Sequence, residues 1–492
     1  MPDAQSPTPV ATAWHAGVSR YQWMVLAIAS LGWIFDVFEG QIFVAGMNEA
    51  MPSLLPAGTP AGTVGFYNNI ARGAFLLGGA LGGVTFGIIG DRVGRTKTLI
   101  YTILIYSAFT CLSSLAQTWW QLAVLRLLVA LGVGGEWAVA TALVAEVFPP
   151  AARARSLGIF HASSVLGTLL AVAAGQWIIG NAALGWRWGF AVGAAPAVLT
   201  LWIRWGLREP DDWLRARQTA MAGAGRTLGD IGELFEPALV RRTLVGVGLA
   251  AVGLGVFWGV HIYGRELLPR DQRHDFLRRS ALNPTYVPAG PWRRWFVASR
   301  ETGPAPGPEA DKARERQSES ERRVFENAYA ERFKSWEMFG MLLVTLGGGL
   351  GLVSFGPLSE WLGRRMAFLL FHAGGLAVAL LVFQLPVGWT LHSAGASCLA
   401  LAAFGFLTLG MHAGYAVYFP ELFPTRLRGT GGGFCFNAGR LLASPVLLAS
   451  GWMQKNWEYT KEQSATGLSL LFLVGIVLLA FAPETKGSDL PE

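Results

Sequence analysis

The sequence predicts an all-α membrane protein: twelve transmembrane helices in two six-helix, pseudo-symmetric bundles. Three observations point there. Hydrophobic residues make up 52% of the chain and charged residues only 14%, with a mean hydropathy of +0.40; a soluble chain carries about a quarter charged residues. The pattern Gly-x-x-x-acid-x-x-Gly-Arg occurs twice, ending in Asp91-Arg92-Val-Gly94-Arg95 and in Glu360-Trp-Leu-Gly363-Arg364-Arg365, each time between two long apolar runs. A second pair, Glu146-Val-Phe-Pro-Pro…Arg153…Arg155 and Glu421-Leu-Phe-Pro-Thr-Arg426-Leu-Arg428, keeps nearly the same offset, so the halves read as homologous repeats.

Residues 1–21 lack the apolar core of a signal peptide and read as a cytoplasmic tail before a retained first helix. A hydrocarbon core about 30 Å thick takes roughly 20 apolar residues per helix. In the N-terminal bundle, 22–207, the candidate runs are 22–47, 66–90, 98–117, 119–147, 156–180 and 187–207. Residues 208–241 form a polar linker, within which 228–235 suggest a short amphipathic helix on the membrane surface. The C-terminal bundle, 242–483, supplies 242–263, 337–360, 366–386, 393–419, 430–452 and 466–483, followed by a tail at 484–492. The 62 glycines suit lipid-embedded helices, where small residues let backbones approach.

Short loops set the orientation. Lys and Arg cluster at 92–97, 153–155, 208–242, 364–365 and 426–428, and are absent from 48–65, 118–120 and 387–391. The basic side is therefore expected in the cytoplasm with both termini, and the net charge of +7 reflects topology, not nucleic-acid binding. Residues 264–336 form a polar insertion with 15 Lys/Arg against 11 Asp/Glu; long loops translocate largely regardless of charge, so it is assigned to the outer face. Within it, 309–335 have the charge pattern of a solvated helix. Cys111, Cys398 and Cys435 are scattered within apolar runs and read as buried thiols.

An ionisable group at mid-bilayer costs roughly 2.5–3.5 kcal/mol and needs a partner, water or a function. Asp36 and Glu39 lie three apart on one helix face, and two carboxylates there do not both ionise cheaply. Arg126 in the fourth span is the expected counter-charge of Asp36. A static ion pair that fixes helix packing is the competing reading. Glu136, about 15 Å beyond Arg126 at 1.5 Å per residue, is expected nearer the cytoplasm, as proton relay or helix glue. Arg72, near the outer half of span two, is a candidate partner for Glu39 or a guide for an entering anion. Gln41, His161, Trp258, His261, His412, Tyr415, Asn437 and Arg440 are candidate solute contacts, Arg440 foremost because a guanidinium can hold a carboxylate bidentately. Each lone His or Tyr also fits a packing role.

The paired loops resemble those of major facilitator superfamily transporters, over essentially the whole chain except the insertion. Arg126-x-x-x-x-Gly-x-Gly-Gly-Glu136 and the ending Pro483-Glu484-Thr485-Lys486-Gly487 are similar to the sugar-porter branch. Gly134-Gly135-Glu136-Trp137 with Asp36-Val-Phe-Glu39 most resembles the metabolite–proton symporters, including sialic acid and monocarboxylate carriers, where the first span commonly reads Asp-x-x-Asp. Aromatic-acid symporters usually lack the Gly-Gly-Glu version and rank lower. The resemblance implies proton coupling through Asp36 of span one and Arg126 of span four, with Glu39 and Glu136 as further candidates. It also implies an inner latch made of Asp91, Arg92, Arg95, Glu146, Arg153, Arg155, Glu360, Arg364, Arg365, Glu421, Arg426 and Arg428.

No phosphate-binding loop, metal constellation or nucleophile elbow appears in the sequence, so neither an enzyme nor a cofactor is expected. The expected function is proton symport of a small organic anion, a monocarboxylate or acidic sugar, by a monomer in a bacterial inner membrane. A carrier of neutral sugars and a transporter-like nutrient sensor using the insertion are the alternatives.

Overall fold

The computed structural model describes residues 14–179, 184–223, 226–266, 330–384, 394–457 and 459–492. Regular structure among them is helical throughout. Spans one to four are Arg20–Ser53, Ala61–Val93, Arg95–Ser113 and Trp119–Val147. Span five is Pro150–Ala162 and Ser164–Ala174 with a π-turn at Gly175–Ile179. Span six is Gly185–Ala191 and Leu199–Gly206, joined by a 3₁₀ stretch around Pro196. Spans seven to eleven are Val240–Gly259, Ala330–Leu362, Arg364–Gln384, Ala394–Leu422 and Arg428–Asn456; span twelve is Lys461–Ser469 with Leu471–Leu479.

Nine helices among the described residues are long and apolar enough to cross a bilayer on their own. Spans three, six and eleven are the ones that fall short. Span six is broken by Pro196, and span eleven carries Asn437 and Arg440. Most of the insertion, 267–329, and with it 309–329 of the expected solvated helix, lies outside the described residues, while 330–335 open the helix of span eight.

Local sequence sets the helix starts. Ser19 and Gln22 form a reciprocal capping box before span one, as do Thr460 and Gln463 before span twelve. Span two ends at Gly94 with φ +129° and span eight at Gly363 with φ +94°, conformations that a side chain resists. Each repeat thus turns directly into its next span.

Glycine seams hold each bundle. A Cβ on Gly78 or Gly82 of span two would lie 2.2 or 2.0 Å from carbonyl oxygens of span four. In the second repeat, one on Gly347 or Gly351 of span eight would lie 2.0 or 2.3 Å from carbonyl oxygens of span ten. Such close backbone approach is how helices associate without a hydrophobic driving force between them.

The bundles meet along two equivalent seams. Gly87 and Gly83 of span two abut Gly429 and Gly433 of span eleven, while Gly356 of span eight abuts Ala154 and Arg155 of span five. These contacts lie near the basic face. Farther along span two, Gly73 and Gly65 have nothing within 4 Å of a would-be Cβ. Span eight packs closely on the first segment of span five and far less on the second. The described bundles are closed at the basic face and part toward the opposite one.

Candidate functional site

Two charged clusters are buried, one within the N-terminal bundle and one at the basic end of the seam between the bundles. At mid-membrane, Asp36, Glu39, Arg126 and Glu136 are all buried. The expected Asp36–Arg126 pair does not form. Arg126 instead bonds Glu39 at 2.5 Å and the Ser113 hydroxyl at 2.5 Å, and Thr110 donates to the same Glu39 oxygen at 3.0 Å. Phe43 and Phe190 cover its guanidinium at 5.2 and 4.8 Å. One helical turn separates the two acids, and the longer Glu39 reaches the arginine first. Arg72 is exposed and makes no ion pair with Glu39.

Asp36 consequently faces elsewhere. Its electrostatic neighbours are Glu136 of span four and Arg440 of span eleven, with no salt bridge to the latter. Asp36 Oδ1 is buried without a hydrogen-bond partner, and the buried Glu136 carboxyl has only the Tyr106 hydroxyl as a polar neighbour. Glu136 therefore neighbours Asp36 and lies nearer the basic face than the Glu39–Arg126 pair, the direction its spacing from Arg126 suggested. Its carboxyl sits against Gly32 of span one, where a Cβ would fall 2.1 Å from Oε1, and beside Tyr106. Sequence reasoning missed Gly32 and Tyr106; a glycine facing an acid across two helices leaves no spacing signal.

Arg440 reaches across the seam toward Gly79 of span two, where a Cβ would lie 2.7 Å from its Nη1. Its guanidinium lies 5.2 Å from the Phe436 ring centre and has no hydrogen-bond partner among the described residues. Asn437 packs against Gly83, donates to the Gly433 carbonyl at 2.9 Å, and leaves Oδ1 unpartnered. Phe436 stacks on Trp137 of span four at 4.2 Å, joining the bundles, and Trp137 Nε1 donates to His161 Nδ1 at 3.3 Å.

The other candidates divide. His412 bonds the Leu409 carbonyl through Nδ1 at 3.1 Å, with the Gly253 backbone as its other polar neighbour. Tyr415 donates to the Leu249 carbonyl at 2.9 Å, and His261 Nδ1 meets the Thr408 hydroxyl at 2.7 Å, so both are engaged in helix contacts. Gln41 is exposed, five residues and about 140° around the helix from Asp36. The Trp258 side chain lies outside those described.

The second cluster closes the basic face. Arg95 bonds Asp91 at 2.6 Å, Glu146 at 2.9 Å and the Thr425 carbonyl at 2.8 Å. Glu146 also accepts from Arg428 of the other bundle at 2.8 Å. Asp91 accepts from the Gly429 and Thr430 amides at 3.0 and 2.7 Å, at the positive N-terminus of span eleven. Arg155 pairs with Glu360 across the other seam at 2.9 Å.

The remaining expected latch residues hold their own side. Arg364 pairs with Glu421 at 2.7 Å, and Arg153 bonds the Ala145 carbonyl at 2.9 Å. Arg365 bonds the Leu479 carbonyl at 3.1 Å. Arg92 holds the linker through the Leu228 carbonyl at 3.1 Å, and Arg426 pairs with Glu233 of the linker. The linker segment around 231–235 is a 3₁₀ turn docked on the C-terminal bundle, with Leu234 and Glu233 buried, and not a helix lying free on the membrane.

Two caps escaped the sequence reading. Glu209, just past span six, accepts from the Arg95 and Thr96 amides at 2.7 and 3.2 Å; Glu484, just past span twelve, accepts from the Arg364 and Arg365 amides at 2.8 and 3.1 Å. Comparing the ends of the two repeats, Glu209-Pro210 against Pro483-Glu484, was the available signal.

The family model described as "Sugar (and other) transporter" matches residues 62–242 and 325–492. The sialic acid transporter NanX of Escherichia coli is 24% identical over 98% of this chain and 98% of its own. The cis,cis-muconate transport protein of Acinetobacter baylyi is 26% identical over 84% of this chain and 85% of its own. The structure of the proton:xylose symporter XylE bound to 6-bromo-6-deoxy-D-glucose superposes with a TM-score of 0.67 at 17% identity, covering 96% of this chain and 98% of XylE. With both repeats matched, the chain belongs to the sugar (and other) transporter family, with the fold of the major facilitator superfamily structure it superposes on, and is a transporter, not an enzyme.

Proposed function

We propose that the protein is a proton-coupled symporter of a small organic anion, working by alternating access from a bacterial inner membrane with the basic face in the cytoplasm. The observation that supports this reading is the seating of Asp36, buried on span one with one oxygen unpartnered, beside Glu136 and within electrostatic reach of Arg440 of the opposite bundle. Three carboxylates, Asp36, Glu39 and Glu136, share the interior with two guanidiniums, Arg126 and Arg440. Uncompensated charge in such a setting costs several kcal/mol, so the surplus carboxylate holds a proton.

The Glu39–Arg126 pair leaves Asp36 and Arg440 as the adjustable couple. A solute carboxylate that takes Arg440 removes the counter-charge of Asp36, which then binds a proton; loss of the proton restores the couple and expels the anion. Solute and proton thus load together because each removes the electrostatic obstacle to the other. The names of relatives support the solute class, since sialic acid, muconate and gallate are organic acids.

The test is uptake into proteoliposomes with and without an inward proton gradient, for wild type and Asp36→Asn. Gradient-driven accumulation of an acid in the wild type, reduced to exchange without accumulation in Asp36→Asn, is the expected result. Equal accumulation by both proteins removes Asp36 from the coupling, and neutral sugars taken up in place of acids overturn the solute class.

A further inference from the structure

We propose that Glu136 keeps its proton throughout the transport cycle and that Asp36 alone carries one, so a monocarboxylate crosses with one proton and no net charge. This rests on the organic-anion reading and fixes its stoichiometry. Arg126 is bonded to Glu39, and Arg440 is the cation within electrostatic reach of Asp36. Glu136 is left with no cation of its own.

The helices around Glu136 hold no cation to spare. On its own span, Arg126 stands about 15 Å away at 1.5 Å per residue. Span one presents Asp36 and Glu39, both acids, and span three presents Tyr106. The charged residues of span two are the exposed Arg72 and, at the basic face, Asp91 and Arg92. Arg440 of span eleven has Asp36 as its charged neighbour. On span five, His161 accepts the Trp137 N–H on Nδ1 at 3.3 Å; an imidazolium has no acceptor, so that ring is neutral. His412 of span ten has backbone partners, Leu409 and Gly253, and no ion pair among the described residues.

Position separates Glu136 from the solute's path as well. Its Oε1 sits where a Cβ on Gly32 would come within 2.1 Å, and Ile103 of span three lines the same spot at 3.9 Å. The Tyr106 hydroxyl is the hydrogen-bonding group beside it. Span one starts at the basic face, so Gly32 lies one turn, about 6 Å, from Asp36 on the closed side. Glu136 is therefore buried among spans one, three and four, whereas Arg440 reaches across the seam to span two.

Without solute, three carboxyls share the interior with two guanidiniums, and one proton, on Glu136, makes it neutral. A solute carboxylate on Arg440 adds a negative charge and takes the counter-charge of Asp36. An O–H bond then forms on Asp36 with a proton from the open side, and neutrality returns. On the other side that bond breaks, the proton leaves to water, and Asp36 displaces the anion from Arg440. Glu136 takes part in neither step. Ionising it would bury a second carboxylate beside Asp36 with no cation to compensate it.

The experiment measures the plateau of uptake by the full-length protein in proteoliposomes, with labelled lactate, benzoate and N-acetylneuraminate as probes. One-to-one neutral symport gives roughly tenfold accumulation per pH unit of inward proton gradient. A potassium–valinomycin potential, inside negative, should leave that plateau within about twofold. Glu136→Gln should reach the wild-type plateau whatever its rate, because a plateau reports stoichiometry and not speed. Asp36→Asn should exchange solute without accumulating it. Roughly hundredfold accumulation per pH unit, or accumulation driven by potential, means a second proton and overturns the inference. So does a Glu136→Gln protein that exchanges without accumulating. The wild-type plateau and its response to potential decide the stoichiometry even if Glu136→Gln does not fold. Absence of driven uptake for all three probes removes the anion reading itself.

Discussion

The charged groups at the basic face and those at mid-membrane use the same residue types and differ in how completely they are partnered. Asp91, Arg95, Glu146 and Arg428 engage every side-chain nitrogen and oxygen they possess. Asp36, Glu39, Arg126 and Glu136 each retain at least one buried atom with no partner. A satisfied network is rigid and specifies one arrangement, whereas an unsatisfied one has a vacant valence for a proton or solute. The first cluster therefore reads as the structural clasp of this conformation, the second as the responsive element. Closing one face while leaving groups unsatisfied at the centre is the arrangement that alternating access needs.

The largest expected effect breaks the clasp. Glu146→Gln leaves Arg95 and Arg428 without their shared counter-charge, and removing one partner of a buried ion pair costs roughly 3–5 kcal/mol. Since Arg428 belongs to the other bundle, most of that loss falls on the closed form. Alkylation by a membrane-impermeant thiol reagent reads the opening at Ala154→Cys, a buried seam position, with Cys111, Cys398 and Cys435 replaced by alanine. The rate should rise on the order of a hundredfold, as 3 kcal/mol in the opening equilibrium implies. An unchanged rate means that the glycine seams alone hold the face shut.

Neutralising the central cluster should cost far less, which sharpens the contrast. Glu136→Gln keeps the shape of a protonated acid and breaks no ion pair, so its unfolding free energy should change by less than about 1 kcal/mol. Gly32→Ala is the harsher change, because the new Cβ meets Glu136 Oε1 at 2.1 Å. Overpacking of this kind costs roughly 1–3 kcal/mol. Transport should fall in Gly32→Ala and recover in part when Glu136→Ala is added to relieve the clash. Failure of the second change to restore any transport separates Gly32 from Glu136 and removes the proposed contact.

Much of this architecture is visible before any coordinates. The duplicated motif announces the two bundles, and span four occupies the residues its apolar run marks. The clasp is legible because its residues recur at matched positions in both repeats. The partners of the central acids are not, since which arginine meets which carboxylate depends on helix rotation and on reach. Asp36 and Glu39 share a face, yet the one extra methylene of Glu39 gives it Arg126 and leaves Asp36 to Arg440, 404 positions away. Likewise, the glycine that makes room for Glu136 sits on another helix, so no local pattern betrays it.

The smallest expected effect concerns the caps, where the two repeats are most alike. Burial raises the pKa of Glu484, and the amides of Arg364, Arg365, Lys486 and Thr485 outweigh it, leaving the carboxyl below its ordinary 4.5. A group depressed in the folded state contributes stability above its unfolded pKa and loses it as pH falls through the folded value. Between pH 7 and 5 the cap is therefore constant, and it weakens only below about 4.5. The negative charge also favours the positive N-terminus of span nine. Thermal unfolding of detergent-solubilised protein should show Glu484→Gln less stable than wild type at pH 7, with the gap narrowing below pH 4. A gap that persists unchanged at low pH assigns the loss to packing against Gly363, where a Cβ would lie 2.8 Å from the carboxyl, and not to its charge.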